Sequence, residues 1–482
     1  MTRYTIPLTR TNADSPPTSA AGRQVRRIGG WLLGIALVGA TACKKFITID
    51  PPRTRLITAT VFQDEATATA AMMGIYTEIA AGLSYDLSLY PGLSADEFLD
   101  YSNNPINREF MENALLPTNN VVVNNGWAKS YKLIYQANAL LEGVQASAAL
   151  SASVARQLTG EARFLRSFLY FYLVNWYGDV PLILSTDWQT NRSAPRRPKE
   201  QVYQQLIADL MEAKKVLGTA YVDGQNAPTL ERVRPNGAAV AALLARVYLF
   251  TGQWALAEAE AGLLIGDPRY QLPGDLEAVF GKDSPEAIWQ LQPVGAGYNT
   301  LEGNQFILTG LPQTVALRPS LVAGFDQSDQ RKNSWIGHVV VGNDTFYFPF
   351  KYKVQYAPPT EAYAEYVLAL RLGEQYLIRA ESRAQQGQFA GALADLNVVH
   401  QRAGLPAIGP LTQSVLLQAI ATERQHELFS EWGHRWLDLN RTGQSAGTLA
   451  PIKSGWQATD QRYPIPLTDI QDNPGLTQND GY

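Results

Sequence analysis

Few residues in this chain combine types and spacings that could carry out chemistry. Gly443-Gln444-Ser445-Ala446-Gly447 matches the G-x-S-x-G nucleophile elbow. An elbow needs a strand before it, a helix after it, and Asp then His further along. Here the preceding segment, Gly433–Arg441, is patterned as a helix, and the last histidine, His434, lies upstream of Ser445. His426-Glu427 begins like a zincin, but the position that should hold the second imidazole is Ser430. No G-x-x-x-x-G-K-[ST] phosphate loop occurs, and Gly295-Ala296-Gly297 lacks the third glycine of a dinucleotide fingerprint. One cysteine excludes a disulfide framework, a cysteine-rich zinc module and a protein-ligated iron–sulfur cluster. Four histidines leave few routes to a histidine metal site. A carboxylate pair for glycoside hydrolysis stays open, because 44 acidic residues always contain pairs. No spacing singles out two of them, so neither a catalytic set nor a metal or cofactor is expected.

The densest charged segment is Glu423-Arg424, Glu427, Glu431, His434, Arg435, Asp438 and Arg441. On one helix, Glu427, Glu431 and Arg435 fall four apart on a single face, and Asp438 and Arg441 three apart. That pattern reads as an ion-pair lattice joining helices.

Long periodic segments must position these residues. Ser130–Ala146, Lys199–Val216 and Glu361–Gln386 carry helical apolar stripes, while Ala155–Tyr177 is unusually aromatic and Asn236–Phe250 is dense in Ala and Leu, and all read as helices. Gly252-Gln253-Trp254-Ala255 aligns with Gly387-Gln388-Phe389-Ala390, and each follows a helix with an alanine seven residues before the glycine, Ala245 and Ala380. A helix, a glycine turn, an aromatic and an Ala-rich helix resemble a tetratricopeptide (TPR) unit. The copies lie too far apart for a clean solenoid. The predicted fold is mainly α, a TPR-like helical-repeat body with long inserted loops and minor β. The loops are 84–125 and 266–360, rich in Gly, Asn, Pro and aromatics, with candidate strands at His338–Val341 and Thr345–Phe350.

The chain has 482 residues, 46% apolar and 17% charged, which suits a packed protein. A net charge of -4 gives no footing for phosphate contacts with nucleic acid. Arg26-Arg27 precede 15 uncharged, mostly apolar residues, Ile28 to Ala42, too few for a membrane-spanning helix. A basic flank and a short apolar core describe an export signal. Its end, Ala40-Thr41-Ala42-Cys43, resembles a bacterial lipobox, although a leucine is usual where Ala40 stands. Residues 1–42 are therefore expected to be a lipoprotein signal and Cys43 the acylated residue. Removing them takes away five basic residues and one acid, and leaves 35 basic against 43 acidic. An acidic chain does not dock on anionic lipid, so the membrane link would be the lipid itself.

Several long segments resemble the SusD/RagB nutrient-uptake lipoproteins. They are Cys43-Lys44-Lys45-Phe46, Asp50-Pro51-Pro52, the run Gly160 to Ile183 around Trp176-Tyr177-Gly178-Asp179-Val180-Pro181, Arg371 to Glu381, Glu423 to Phe429, Gly433 to Arg441, Tyr463-Pro464-Ile465-Pro466, and Asn473-Pro474 with Gln478 to Tyr482. The resemblance covers the whole chain after the signal. It implies an outer-membrane lipoprotein exposed at the cell surface, which binds and does not catalyse. Its implied partner is a SusC-like TonB-dependent barrel that receives captured glycan or peptide. It divides the chain into 43–265, with ligand loop 84–125, and 266–482, with ligand loop 266–360.

A sugar binder needs flat aromatic faces for pyranose rings and planar polar side chains for hydroxyls. Asp96, Tyr101, Asn103, Asn104 and Arg108 in the first loop, and Tyr298, Asn299, Trp335 and Tyr347 in the second, are the candidates. The aromatics from Phe164 to Tyr177 read as core. Competing readings are a peptide binder of the same system, a TPR scaffold for proteins alone, and a secreted carboxylate-dependent glycoside hydrolase.

Overall fold

The computed structural model describes residues 60–295, 297–358 and 362–482. Helix α1, Glu65–Glu78, starts at Asp64, whose carboxylate accepts from the Thr67 N–H. α2, Ser84–Ser94, leads to the short strand β1, Phe98–Asp100, and to α3, Pro105–Glu112, capped by Asn104. After the π-helical turn Val121–Ala128 come α4, Lys129–Ala146, and α5, Ala152–Tyr177. Next are α6, Lys199–Val216, α7, Gly237–Phe250, and α8, Trp254–Ile265. The strands β2 (Ala287–Leu291), β3 (Val315–Leu317), β4 (Ile336–Val341), β5 (Asp344–Pro349) and β6 (Val367–Arg371) follow. The chain closes with α9, Leu372–Gln385, α10, Phe389–Arg402, α11, Gln413–Leu428, and α12, His434–Arg441, besides shorter turns.

The mainly helical fold with small sheets agrees with the sequence pattern. α5 is the central element, packed against α4 and α6. Ser151 caps its start by accepting from the Val154 N–H, and Gly178, at φ 73, ends it. Its aromatics are core, as expected. Phe164 and Phe168 meet the Trp289 ring edge-on at 4.9 and 5.2 Å, and the Trp289 indole N–H donates to the Val233 carbonyl. The repeat also stands: α7 packs on α8, α9 on α10, and α8 on α9. Gly252 and Gly387 occupy equivalent turns at φ 68 and 77, a backbone region that side chains disfavour.

Two expectations need correction. The loop 84–125 is largely helical, holding α2, α3 and the π turn. α2 is buried on most sides, at Ser84, Leu87, Ser88, Leu89, Leu93 and Ser94, so it shows no amphipathic stripe. The predicted helix Glu361–Gln386 begins only at Leu372. Val367–Arg371 is instead a fully buried strand paired antiparallel with β2, and such an apolar run cannot be told from a helix by periodicity.

The charged segment does form a lattice, but not along one helix. α11 stops at Leu428, and Ser430, Trp432 and Gly433 all take positive φ. Gly433 must be glycine, because a Cβ there would press on Leu87 O at 2.8 Å and the Pro91 ring at 2.7 Å. The break lets Glu427 and Glu431 share Arg371 and turns Arg435 away to Asp96. Arg371 bonds Glu286 (2.7 Å), Glu427 (2.6 Å) and Glu431 (2.9 Å). Arg402 bonds Glu286 and Glu427, while Arg331 bonds Asp329, Glu423 and Glu427. Lys351 donates to Glu431 and to the Glu427 and Phe429 carbonyls. Asp438 and Arg441 pair as their spacing predicts.

Burial alone would raise the Glu427 carboxyl, and three guanidinium groups outweigh it and hold it well below the carboxylate range. Replacing Glu427 by Gln leaves those cations undercompensated. The expected loss is about 3–5 kcal/mol in denaturant unfolding.

Candidate ligand-binding site

Four strands build the sheet that carries the site, in the order β1-β3-β5-β4. Opposed residues share a face. Phe98, Leu317, Tyr347 and His338 are opposed in turn, and Phe98 and Leu317 are buried, so theirs is the inward face. Alternation places Leu99, Ala316, Phe346, Phe348 and Val339 on the other face. Tyr101 extends this face: its N–H donates to the Thr314 carbonyl at 2.7 Å. Its ring is 38% exposed and meets Phe346 edge-on at 5.5 Å. Arg318 follows β3, and its N–H donates to the Glu97 carbonyl. The Arg318 Nε is buried without a partner among the described residues. Burial lowers its pKa from the ordinary value.

The turn beside Tyr101 is prebuilt. Asp100 Oδ1 accepts from the Ser102 N–H, the Ser102 hydroxyl and the Asn107 amide. Asn103 sits at φ 55, and Asn104 spends its carbonyl on the Ile106 N–H. Asn103 and Arg108 are exposed, with no side-chain hydrogen bond inside the protein among the described residues.

A second aromatic patch lies where 292–300 meets 354–365. The Tyr298 ring packs against Gly295, the Tyr363 hydroxyl donates to the Gly295 carbonyl, and the Ala357 N–H donates to the Gly297 carbonyl. Tyr356 is 70% exposed. The Gln355 amide donates to the Ile307 carbonyl at 2.9 Å, and seven residues later Thr314 holds Tyr101. Segment 307–314 thus ties the two patches together.

Three expected contacts lie out of reach of a surface ligand. Trp335 is fully buried, its indole N–H donating to the Leu276 carbonyl, so it anchors the base of β4. Asn299 is buried, its side-chain oxygen accepting from the Ala364 and Glu365 N–H groups. Asp96 forms a bidentate pair with Arg435 at 2.7 Å, 339 residues away. Burial would raise its carboxyl, and Arg435 overrides that to lower it. Tyr347 packs half-buried on the core face near His338. Tyr101, Asn103, Arg108 and Tyr298 remain at the surface or partly so. Sequence reasoning missed Arg318, Phe346, Tyr356 and Tyr363. The alternation of β5 held a signal for Phe346, and no motif marks Arg318 beside Pro319.

Other candidates lack this combination. Ser445 is buried and donates to Asn440 Oδ1, and His426 stacks on Phe325 at 4.1 Å. Among the described residues no group of three or more His, Cys, Asp or Glu could hold a metal ion. A groove runs along α1, lined by Asp64, Met73, Gly74, Gln225 and Asn226, with no aromatic ring. Cys43 and the signal 1–42 lie outside the described residues. No helix among the described residues is long and apolar enough to cross a membrane.

Comparison with known proteins decides the family. Residues 57–249 match a family model described as starch-binding, associating with the outer membrane, and residues 331–482 match the SusD family model. The chain belongs to the SusD/RagB family. Similar to this SusD-family chain is the SusD-like protein P25 of Formosa agariphila, 23% identical over 91% of this chain and 95% of that one. A solved laminarin-binding SusD-like protein is 25% identical, with a TM-score of 0.72, covering 86% of this chain and 99% of that one. A SusD homologue from Bacteroides thetaiotaomicron, 21% identical, shares the fold with a TM-score of 0.78 over 89% and 99% of the two chains.

Beneath the site, Glu302 is buried with Oε2 unpartnered among the described residues, and burial pushes its carboxyl up to about 7. A raised carboxyl pKa favours the folded state at low pH, and that advantage is lost as pH climbs from 4.5 through about 7. Glu302→Gln should therefore stabilise the SusD-family chain by about 1–3 kcal/mol at pH 8 and leave it unchanged near pH 4, read by denaturant unfolding.

Proposed function

We propose that this protein is a cell-surface, lipid-anchored binding protein that captures an oligosaccharide and passes it to a SusC-like TonB-dependent barrel. The observation that carries the reading is the outer face of the β1-β3-β5-β4 sheet. It offers the exposed Tyr101 ring braced by Phe346 and the part-exposed Arg318 guanidinium, with free amide and guanidinium groups at Asn103 and Arg108 in the turn and helix that follow β1. A pyranose has apolar C–H faces and a rim of hydroxyls. Flat rings beside planar donors match both halves. The laminarin-binding relative supports a glucan as the first ligand to try. The second patch, tied to this face through segment 307–314, exposes Tyr356 and would take further sugar units of a longer chain. The failed elbow and metal motifs support binding over hydrolysis.

Calorimetry with laminarin oligosaccharides, then with a wider glycan panel, tests the reading. Tyr101→Ala combined with Phe346→Ala should weaken affinity at least tenfold, about 1.4 kcal/mol. Unchanged affinity would remove the ligand from this face. The anchor has a separate test: Cys43→Ser should shift the protein from the membrane to the soluble fraction, and continued membrane retention would exclude acylation as the link.

A further inference from the structure

β4 is the outer strand of the sheet, and one of its edges pairs with nothing among the described residues. Its register with β5 is unbroken from Ile336 opposite Pro349 to Val341 opposite Asp344, closed by a turn with Gly342 at φ 63. The Phe350 N–H donates to the Trp335 carbonyl. That bond fixes the alternation. Gly337, Val339 and Val341 turn their N–H and C=O groups toward β5, while Ile336, His338 and Val340 turn theirs away. Ile336 is buried at the base of the strand. His338 and Val340 are exposed, Val340 at 62%, so two backbone donors and two acceptors stand in a row at the surface.

Native sheets blunt such edges with lysine, proline, a bulge or short length. The opposite edge, β1, is three residues long. β4 has six, reads Ile-Gly-His-Val-Val-Val, and has none of these protections. Free backbone groups at strand spacing, flanked by β-branched side chains, are complementary to another extended backbone. The edge is also complementary to itself. We infer that β4 pairs antiparallel with β4 of a second copy of this chain, across a two-fold axis through Val339.

In that register His338 faces Val340 of the second copy, and Val340 faces its His338, so four N–H···O=C bonds use every exposed group. Val339 meets its own counterpart as a non-hydrogen-bonded pair, where side chains lie closest. β4 carries no charged side chain, so no like charges are opposed. A permanent dimer buries about 1,200–2,000 Å² or more. A six-residue edge supplies less, so the pairing is reversible and follows concentration.

Sedimentation equilibrium on the full-length chain carrying Cys43→Ser tests this over about 5–500 μM, the range of weak pairing. The apparent mass should rise from monomer toward dimer. Val340→Pro removes only an outward N–H and spares every bond to β5, so it should stay monomeric with unchanged thermal unfolding. Val339→Cys in the Cys43→Ser background carries a single thiol and should oxidise to a disulfide-linked dimer at least about tenfold faster than Thr77→Cys, since opposed Cβ atoms lie about 4.5–5.5 Å apart. A monomer throughout the range, with Val339→Cys no faster than Thr77→Cys, overturns the inference. A Val340→Pro variant that dimerises like the parent also overturns it, by moving the contact elsewhere.

Discussion

The buried charge lattice around Glu427 is the constraint on which the rest depends. Arg331 enters it just before β4 begins, and Lys351 enters it just after β5 ends. The hairpin that carries Phe346 is therefore clamped at both feet. The same lattice holds the end of β6 through Arg371, α10 through Arg402, and α11 through Glu423 and Glu427. Burying so many charges is costly, and the cost is offset only while every partner is present and well aligned. The lattice thus adds little net stability for its size but fixes geometry closely, as a rigid ligand face requires.

The body and the face follow different rules. The pairs α7–α8 and α9–α10 repeat one packing solution, with small residues at the contact and a glycine turn between helices. Everything from Gly266 to Tyr366 interrupts that repeat and supplies most of the outer sheet and both tyrosine-rich loops. Arg318, Phe346 and Tyr356 can differ without touching the helix contacts, and the helices need no knowledge of the ligand.

This division explains what the sequence made legible. Helices α4 and α6 announce themselves because each is long and buries one face, so a 3.6-residue period persists over several turns, while α5 and α7, buried nearly all round, show through their length and density of apolar residues. The repeat is legible because Gly252 and Gly387 obey the same backbone demand. α2 and β6 are illegible because they are short as well as buried on most sides, so neither length nor alternation marks them. Trp335 and Asn299 mislead because their types suit a sugar site, while their burial is set by distant partners at Leu276 and Ala364. The charge lattice was foreseeable in composition but not in connection, since the left-handed residues Ser430, Trp432 and Gly433 break the helix after Leu428 and redirect Glu431 and Arg435. Cys43 and its neighbours stand on sequence alone.

Side-chain bonds also join the two ends of the chain. Trp432 N–H reaches the Ser88 hydroxyl across 344 positions, Arg435 reaches Asp96 across 339, and Tyr463 reaches Ser94 across 369. Helix α2 and the approach to strand β1 are thus held in part by the last fifty or so residues. Contacts so far apart in sequence carry a high loop-closure cost, which slows the step that forms them.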